Sequence, residues 1–372
     1  MYIDDLKENI YTCNRTRCGF CRENCPVYSE LRYEAYSCRG KMLIARGLIE
    51  GSIKPNKELI DCISLCTTCG YCLYRCALNN VDLIESLRAD LINMGHENKY
   101  HRISVKNILD YNNPFKESNE KRSNWSDGLP ISKSSNKLFF AGCVYPYLQP
   151  ERLKKIYCSL IKLGFKLNYF GENERCCGAV LSTTGYLEKF HALSLKNIEI
   201  FNKKEIEKII TPCPGCYKIL KNKYVKLETN FNPEILHYTE ALADLLKIGR
   251  INFQNKIKMK VTWHDPCDLG RHMRILEYPR IILTSIPGIE LLEMDNNKYE
   301  AKCCGAGGGM LSANADLSID IATKRLNTAE ATGAEALVTM CPTCESTFER
   351  VIRYTNSKLK LYDLGELVFQ AL

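Results

Sequence analysis

No apolar run in the sequence approaches the roughly 18 residues needed to cross a bilayer. The first residues, MYIDDLKENIYTCNRTRC, carry neither a basic leader nor an apolar h-region. The expectation is a cytoplasmic chain with no direct membrane insertion, so that any peripheral association with the inner membrane face comes through a partner protein. A Gly-x-Gly-x-x-Gly after a strand is also missing, which argues against a nicotinamide or flavin site within the chain. Nor do aromatics alternate with basic residues as in single-strand binders, so no nucleic-acid partner is expected. The excess of 51 Lys+Arg over 43 Asp+Glu gives +8. That charge suits an acidic substrate, an acidic partner or an anionic surface, and equally an ordinary solvated exterior.

What the chain has in excess is cysteine, 21 in 372 residues, on an ordinary globular background of 45% hydrophobic and 25% charged residues. The chain is far too long to be a disulfide scaffold, and a reducing compartment reserves such thiols for metals or redox chemistry. Ten cysteines lie between Cys13 and Cys76, and the other eleven spread from Cys143 to Cys344. Residues 111–136, YNNPFKESNEKRSNWSDGLPISKSSN, separate the two groups and read as a linker, polar and without apolar period.

The second group repeats. Cys143, Cys176-Cys177-Gly178 and Cys213-Pro214-Gly215-Cys216 are matched by Cys267, Cys303-Cys304-Gly305 and Cys341-Pro342-Thr343-Cys344, at offsets of 124, 127 and 128 residues. Strand-like runs KLFFAGC and KVTWHDPC end at the first cysteine of each copy. Helical segments ERLKKIYCSLIKLG and LEYPRIILTSI follow, then FKLNYF and IELLEM as strands, and finally EIEKIITPC and AEALVTMC just before each Cys-Pro-x-Cys. Such alternation implies βαβ units and largely parallel sheets with the cysteines at strand carboxyl ends. The expected fold is α/β: a helical ferredoxin-like two-cluster domain over 1–110, the linker over 111–136, and two tandem cysteine-rich modules over 137–250 and 251–372.

Cys66-x2-Cys69-x2-Cys72-x3-Cys76 has the spacing that winds three thiolates around one [4Fe–4S] cubane and sends the fourth to a second. An earlier run, Cys13-x4-Cys18-x2-Cys21-x3-Cys25-Pro26, departs from it with four residues after Cys13, and Ala77 replaces the usual proline after the later run. By the ferredoxin rule, Cys13, Cys18, Cys21 and Cys76 hold one cubane and Cys66, Cys69, Cys72 and Cys25 the other. Zinc is the competing metal, but its sites use separated ligand pairs rather than two dense runs of four. Cys38, Cys62 and Cys158 fall outside every pattern and read as small buried hydrophobes.

Each later copy offers five cysteines, one too many for a plain cubane. Vicinal thiolates can diverge onto different metals, and the following glycine permits the turn this needs. Gly305-Ala306-Gly307-Gly308-Gly309 extends that flexible backbone in the second copy. At these Cys-Cys-Gly elements the sequence resembles the cysteine-rich domains of heterodisulfide reductases, and the whole architecture is similar to that of their D-type subunits. It is also similar to the iron–sulfur subunits of glycolate, lactate and glycerol-3-phosphate dehydrogenases. The resemblance implies one or two noncubane [4Fe–4S] clusters, held by Cys143, Cys176, Cys177, Cys213 and Cys216 and by Cys267, Cys303, Cys304, Cys341 and Cys344. It further implies catalysis at these cysteines on a small thiol or disulfide substrate, with an electron-donor or membrane haem subunit as partner. In the dehydrogenase reading the chain is an electron conduit, and its partner is an FAD flavoprotein subunit.

Other polar residues are weaker pointers. His264, in His-Asp-Pro-Cys267, reads either as a proton donor to a departing thiolate or as a strand-end histidine satisfying backbone groups. Arg271, His272 and Arg274 read either as facing an anionic thiol substrate or as solvated surface. Lys41 and Arg46 sit on an expected helix beside the ferredoxin-like clusters and are candidates for positioning it.

Overall fold

The structure, a computed structural model, describes residues 1–78 and 81–372. Its N-terminal part is helical. Helices Lys7–Thr16, Cys38–Ile49, Lys57–Ser64 and Val81–Asn93 bury one apolar face each around Ile10, Met42, Ala45, Ile63, Leu83 and Leu87. Side-chain caps fix where two of them start: Ser37 Oγ accepts from Gly40 N–H and Asn56 Oδ1 from Leu59 N–H. The dense cysteine runs fill the turns between helices, where Gly19 and Gly70 adopt φ of 75° and 73°.

Beyond it stand two parallel sheets. Strands β1 (Lys137–Phe139), β2 (Lys208–Thr211) and β3 (Glu234–His237) pair in the order β1-β2-β3. Strands β4 (Met259–Trp263), β5 (Ile289–Leu291), β6 (Ala336–Thr339) and β7 (Lys360–Asp363) pair in the order β5-β4-β6-β7. The expected α/β class with two parallel modules is therefore what the chain adopts. Two details differ from the sequence reading. FKLNYF supplies only the bridge between Leu138 and Asn168, whose side-chain amide donates to the Lys133 and Ser135 carbonyls. And each sheet gains a strand that was not read from sequence, β3 and β7.

One apolar core runs through both modules. Phe139 and Ile210 of the first, Val261, Trp263 and Val338 of the second, and Leu364, Leu367 and Val368 of the last helix share it. Residues 111–136, polar as they are, hold helix Asn119–Ser123 and two deeply buried anchors. Trp125 packs on Phe139, Tyr157 and Tyr169, and Arg122 donates to the Gly142 and Asn112 carbonyls. The segment thus fastens the first module as well as joining it to the head.

Candidate iron–sulfur centre

In the helical head the thiols gather in two groups. Cys13 lies in the field of Cys18, Cys21 and Cys76, and burial first, then those neighbours, push its thiol up to about 11. Cys25 senses Cys69 and Cys66 and is raised to about 12, mainly by burial. Around the second group is a cavity lined by Cys21, Cys25, Cys38, Cys66, Cys69, Cys72 and the Lys41 side chain. Lys41 is buried and donates to the Tyr36 carbonyl at 2.6 Å, bringing a cation to this cavity. Arg46 instead lies near the surface, paired with Glu50 at 2.9 Å and set over the Tyr11 ring.

Cys38 is buried as expected, yet its thiol is hydrogen-bonded to both Cys21 and Cys72, so it sits between the two groups. Spacing gave no hint of this, since helix Cys38–Ile49 delivers it from outside both runs. Cys62 is buried with its Sγ 3.3 Å from the Ala35 carbonyl, whereas Cys158 is only half-buried on helix Pro150–Lys162.

Each α/β module brings its five thiols together at the carboxyl ends of its strands. In the first, Cys143 contacts Cys176, Cys177 Sγ is 3.4 Å from Cys216 Sγ, and Cys213 is hydrogen-bonded to Cys216. In the second, Cys267 contacts Cys303, Cys304 Sγ is 3.1 Å from Cys344 Sγ, and Cys344 meets Cys341. The vicinal pairs turn through glycines with φ of 83° at Gly178 and 85° at Gly305. There a Cβ would be strained, and those glycine N–H groups donate to Cys176 and Cys303 sulfurs at 3.4 and 3.3 Å. Pro214 and Pro342 start helices directly after Cys213 and Cys341, placing each Cys-Pro-x-Cys on a helix N-terminus.

The two thiol sets also lie against each other. Lys218 Nζ pairs with Asp268 Oδ1 at 2.5 Å across the module boundary, and Cys341 feels the charge of Cys213. The head docks on the second module just as closely. Cys69 is hydrogen-bonded to Cys303, which lowers the Cys69 thiol to about 5 against the opposing cost of burial. Arg271 Nε donates to the Cys69 carbonyl at 2.7 Å and its Nη1 to the Ala301 carbonyl, while His272 Nε2 donates to the Thr68 carbonyl at 2.9 Å. Both readings of this pair from sequence give way: Arg271 and His272 are spent on backbone carbonyls of the head and, for Arg271, of the second module as well, and only Arg274 remains exposed.

The glycine run serves the same contact. A Cβ on Gly308 would fall 2.4 Å from the Cys66 carbonyl, and one on Gly307 2.7 Å from that of Thr67. Arg88, which the sequence did not single out, closes the junction. Its guanidinium donates to the carbonyls of Ile63, Ser64 and Cys66 in the head, Thr183 in the first module and Gly308 in the second.

His264 is 1% exposed. Its Nδ1 accepts from Arg325 Nε at 3.2 Å, and a ring nitrogen lies within 4.8 Å of the Cys304 and Cys344 sulfurs. His264 Nε2 and Arg325 Nη2 are buried without an oxygen or nitrogen acceptor, and the His264 ring is hydrogen-bonded to Cys304. Buried N–H groups need acceptors, so two of them beside five thiols call for a group rich in acceptor sulfur. Both the donor set and these N–H groups fit an iron–sulfur cluster. Nothing in the described residues amounts to a helix long and apolar enough to cross a membrane.

Family comparisons agree with this chemistry. A cysteine-rich domain matches residues 137–221 and 261–349, and a 4Fe-4S dicluster domain matches residues 9–80. The D-type subunit of the dihydromethanophenazine:CoB–CoM heterodisulfide reductase of Methanosarcina mazei is 33% identical, over 96% of this chain and 93% of that protein. The probable iron–sulfur-binding oxidoreductase FadF of Bacillus subtilis is 31% identical over 82% of this chain and 46% of its own length. The EtfAB:quinone oxidoreductase of Syntrophomonas wolfei is 27% identical over 96% of this chain and 57% of its own length.

Proposed function

Because the chain belongs to the family of cysteine-rich iron–sulfur oxidoreductase subunits that includes the D-type subunits of heterodisulfide reductases, we propose that it reduces a small disulfide of the CoM–CoB heterodisulfide type. In this reading Cys13, Cys18, Cys21 and Cys76 hold one cubane and Cys25, Cys66, Cys69 and Cys72 another. The two five-cysteine sets hold noncubane clusters. Bound there, such a cluster supplies single electrons and iron sites that take up sulfur.

The chain's own residues arrange the rest. Cys69, against Cys303, joins the head's thiols to the second module. Nearly all the module cysteines are buried, which keeps water from the reacting sulfurs. In the reaction one S–S bond breaks, and two electrons and two protons yield two thiols. The observation that carries the reading is that both five-thiol sets are complete and lie next to each other across the Lys218–Asp268 ion pair. A partner protein, a haem membrane subunit or another donor, supplies the electrons.

A second reading draws on the likeness to FadF and the EtfAB:quinone oxidoreductase. In it the same clusters only conduct electrons for an FAD-linked dehydrogenase, such as one acting on a 2-hydroxyacid or glycerol-3-phosphate. Anaerobically purified protein, supplied with reduced viologen and the CoM–CoB heterodisulfide, separates the two. Turnover that is lost in Cys304→Ser supports the reductase. Cluster-replete protein without turnover on this or simpler disulfides rejects it in favour of the conduit.

A further inference from the structure

The two modules repeat one another in their cysteines but not in what surrounds them. Three residues before its first cysteine, the second module has His264 where the first has Phe140. His264 is held rigidly: its N–H donates to the Val338 carbonyl, its carbonyl accepts from Thr339 Oγ1, and its ring stands edge-on to Phe348 at 4.9 Å. Arg325 donates to Nδ1, and a guanidinium cannot accept, so the ring proton of the neutral imidazole sits on Nε2. That Nε2–H has no oxygen or nitrogen acceptor; the ring is hydrogen-bonded to Cys304 and lies beside Cys344.

Arg325 is 1% exposed, donates Nη1 to the Asn296 carbonyl at 2.9 Å, and leaves Nη2 unpartnered in the field of Cys303 and Cys344. Arg271, also buried, spends its hydrogen bonds on carbonyls and no carboxylate pairs with it among the described residues. The first module's corresponding cation is Arg122, beside Cys143, and it faces the buried Glu174 at 3.6 Å. Each set thus has a buried guanidinium with one spare N–H, Arg325 Nη2 and Arg122 Nε, and a buried acid in its field, Asp265 and Glu174; what the second adds is the His264 ring against its thiols.

We propose that His264 and Arg325 are positioning residues that raise the reduction potential of the second module's cluster above that of the first. The physical basis is that N–H groups facing cluster sulfurs stabilise the more negative reduced cluster. The consequence is direction. Electrons arriving through Cys69 settle first in the module whose thiol Cys69 touches, and pass to the other only once substrate is engaged. This inference rests on both modules binding clusters but not on the identity of the disulfide.

An EPR-monitored redox titration of the full-length, cluster-replete protein tests it, with no substrate present. Iron and sulfide content, read first, tells failure of the cluster reading from failure of the inference. Cys177→Ser, which takes a ligand from the first module, assigns the two module signals. We expect two separate midpoints, the higher belonging to the second module. His264→Phe, which copies the first module, should shift only that higher midpoint downward. His264→Gln, retaining a side-chain N–H, should restore part of the shift. If His264→Phe loses the cluster, Arg325→Gln gives the deciding titration, with the same downward shift expected. Equal midpoints in the wild type, or an unmoved second-module midpoint in a cluster-retaining variant, overturn the proposal.

Discussion

The Cys69 thiol of the helical head is hydrogen-bonded to the Cys303 thiol of the second α/β module, two side chains 234 positions apart in the sequence. Tyr71 and Cys267 pack around the contact and, with Arg271 and His272 bound to the neighbouring carbonyls, leave it little freedom to open. The head is thus joined thiol to thiol to the module beside it.

Cys69→Ser should remove one ligand and this contact together. We expect the protein to lose about four irons per chain, one cubane's worth. Any module clusters it retains should be reduced more slowly by an external donor than in the wild type. Iron analysis with stopped-flow absorbance reads both. Full iron with unchanged kinetics would mean that Cys69 neither ligates nor conducts.

Arg88 is the keystone of the junction, a fully buried cation serving five carbonyls from three parts of the chain. Arg88→Met strands those acceptors away from water, each a penalty of its own. We expect a loss of at least about 3 kcal/mol in denaturant unfolding. Arg88→Lys should recover little, because one ammonium cannot fan out to five acceptors. A melting temperature within a degree of wild type for Arg88→Met would contradict this role.

Burial, aided by Arg88, depresses the pKa of His101 to about 3, and burial depresses that of His237 to about 3 as well. Above pH 6.5 each is neutral folded or unfolded, so its contribution to stability is fully present. Below that the unfolded chain takes up a proton that the folded chain refuses, and stability falls until pH 3. The slope is roughly 1.4 kcal/mol per pH unit for each histidine. His101→Gln, whose amide can still donate to the Gly309 carbonyl, should remove one histidine's share of that slope, as urea unfolding at a series of pH values would show. An unchanged slope would mean that His101 is protonated in the folded state.

Much of this was legible in the chain because cysteine spacing is a local signal. The ferredoxin-like run at Cys66–Cys76, the doubled Cys-Cys-Gly elements and the strands ending at Cys143 and Cys267 are each fixed by residues close in sequence. What escaped was set by contacts between distant segments. Cys38 reaches Cys21 and Cys72 only through the docking of its helix, and Arg88 looks like any arginine until five carbonyls converge on it. Arg325 gains its meaning from His264, 61 positions earlier. Strands β3 and β7 were missed because Glu234–His237 and Lys360–Asp363 hold two apolar residues each between polar ends and lead to no cysteine; they pair with β2 and β6. Residues 111–136 read as linker because Asn, Ser and Lys outnumber the few side chains, Trp125 and Arg122 among them, that anchor the segment.

The central claim, that electrons held by this chain are delivered to a disulfide, is tested most directly in a single turnover. Protein reduced to completion and freed of excess reductant is mixed with one equivalent of the CoM–CoB heterodisulfide, and thiol release and EPR spectra are followed together. We expect two thiols per disulfide, oxidation of the module signals in step with thiol release, and loss of both in Cys304→Ser. Clusters that stay reduced in the presence of disulfide, with no thiol formed, would contradict the claim and leave the chain an electron conduit.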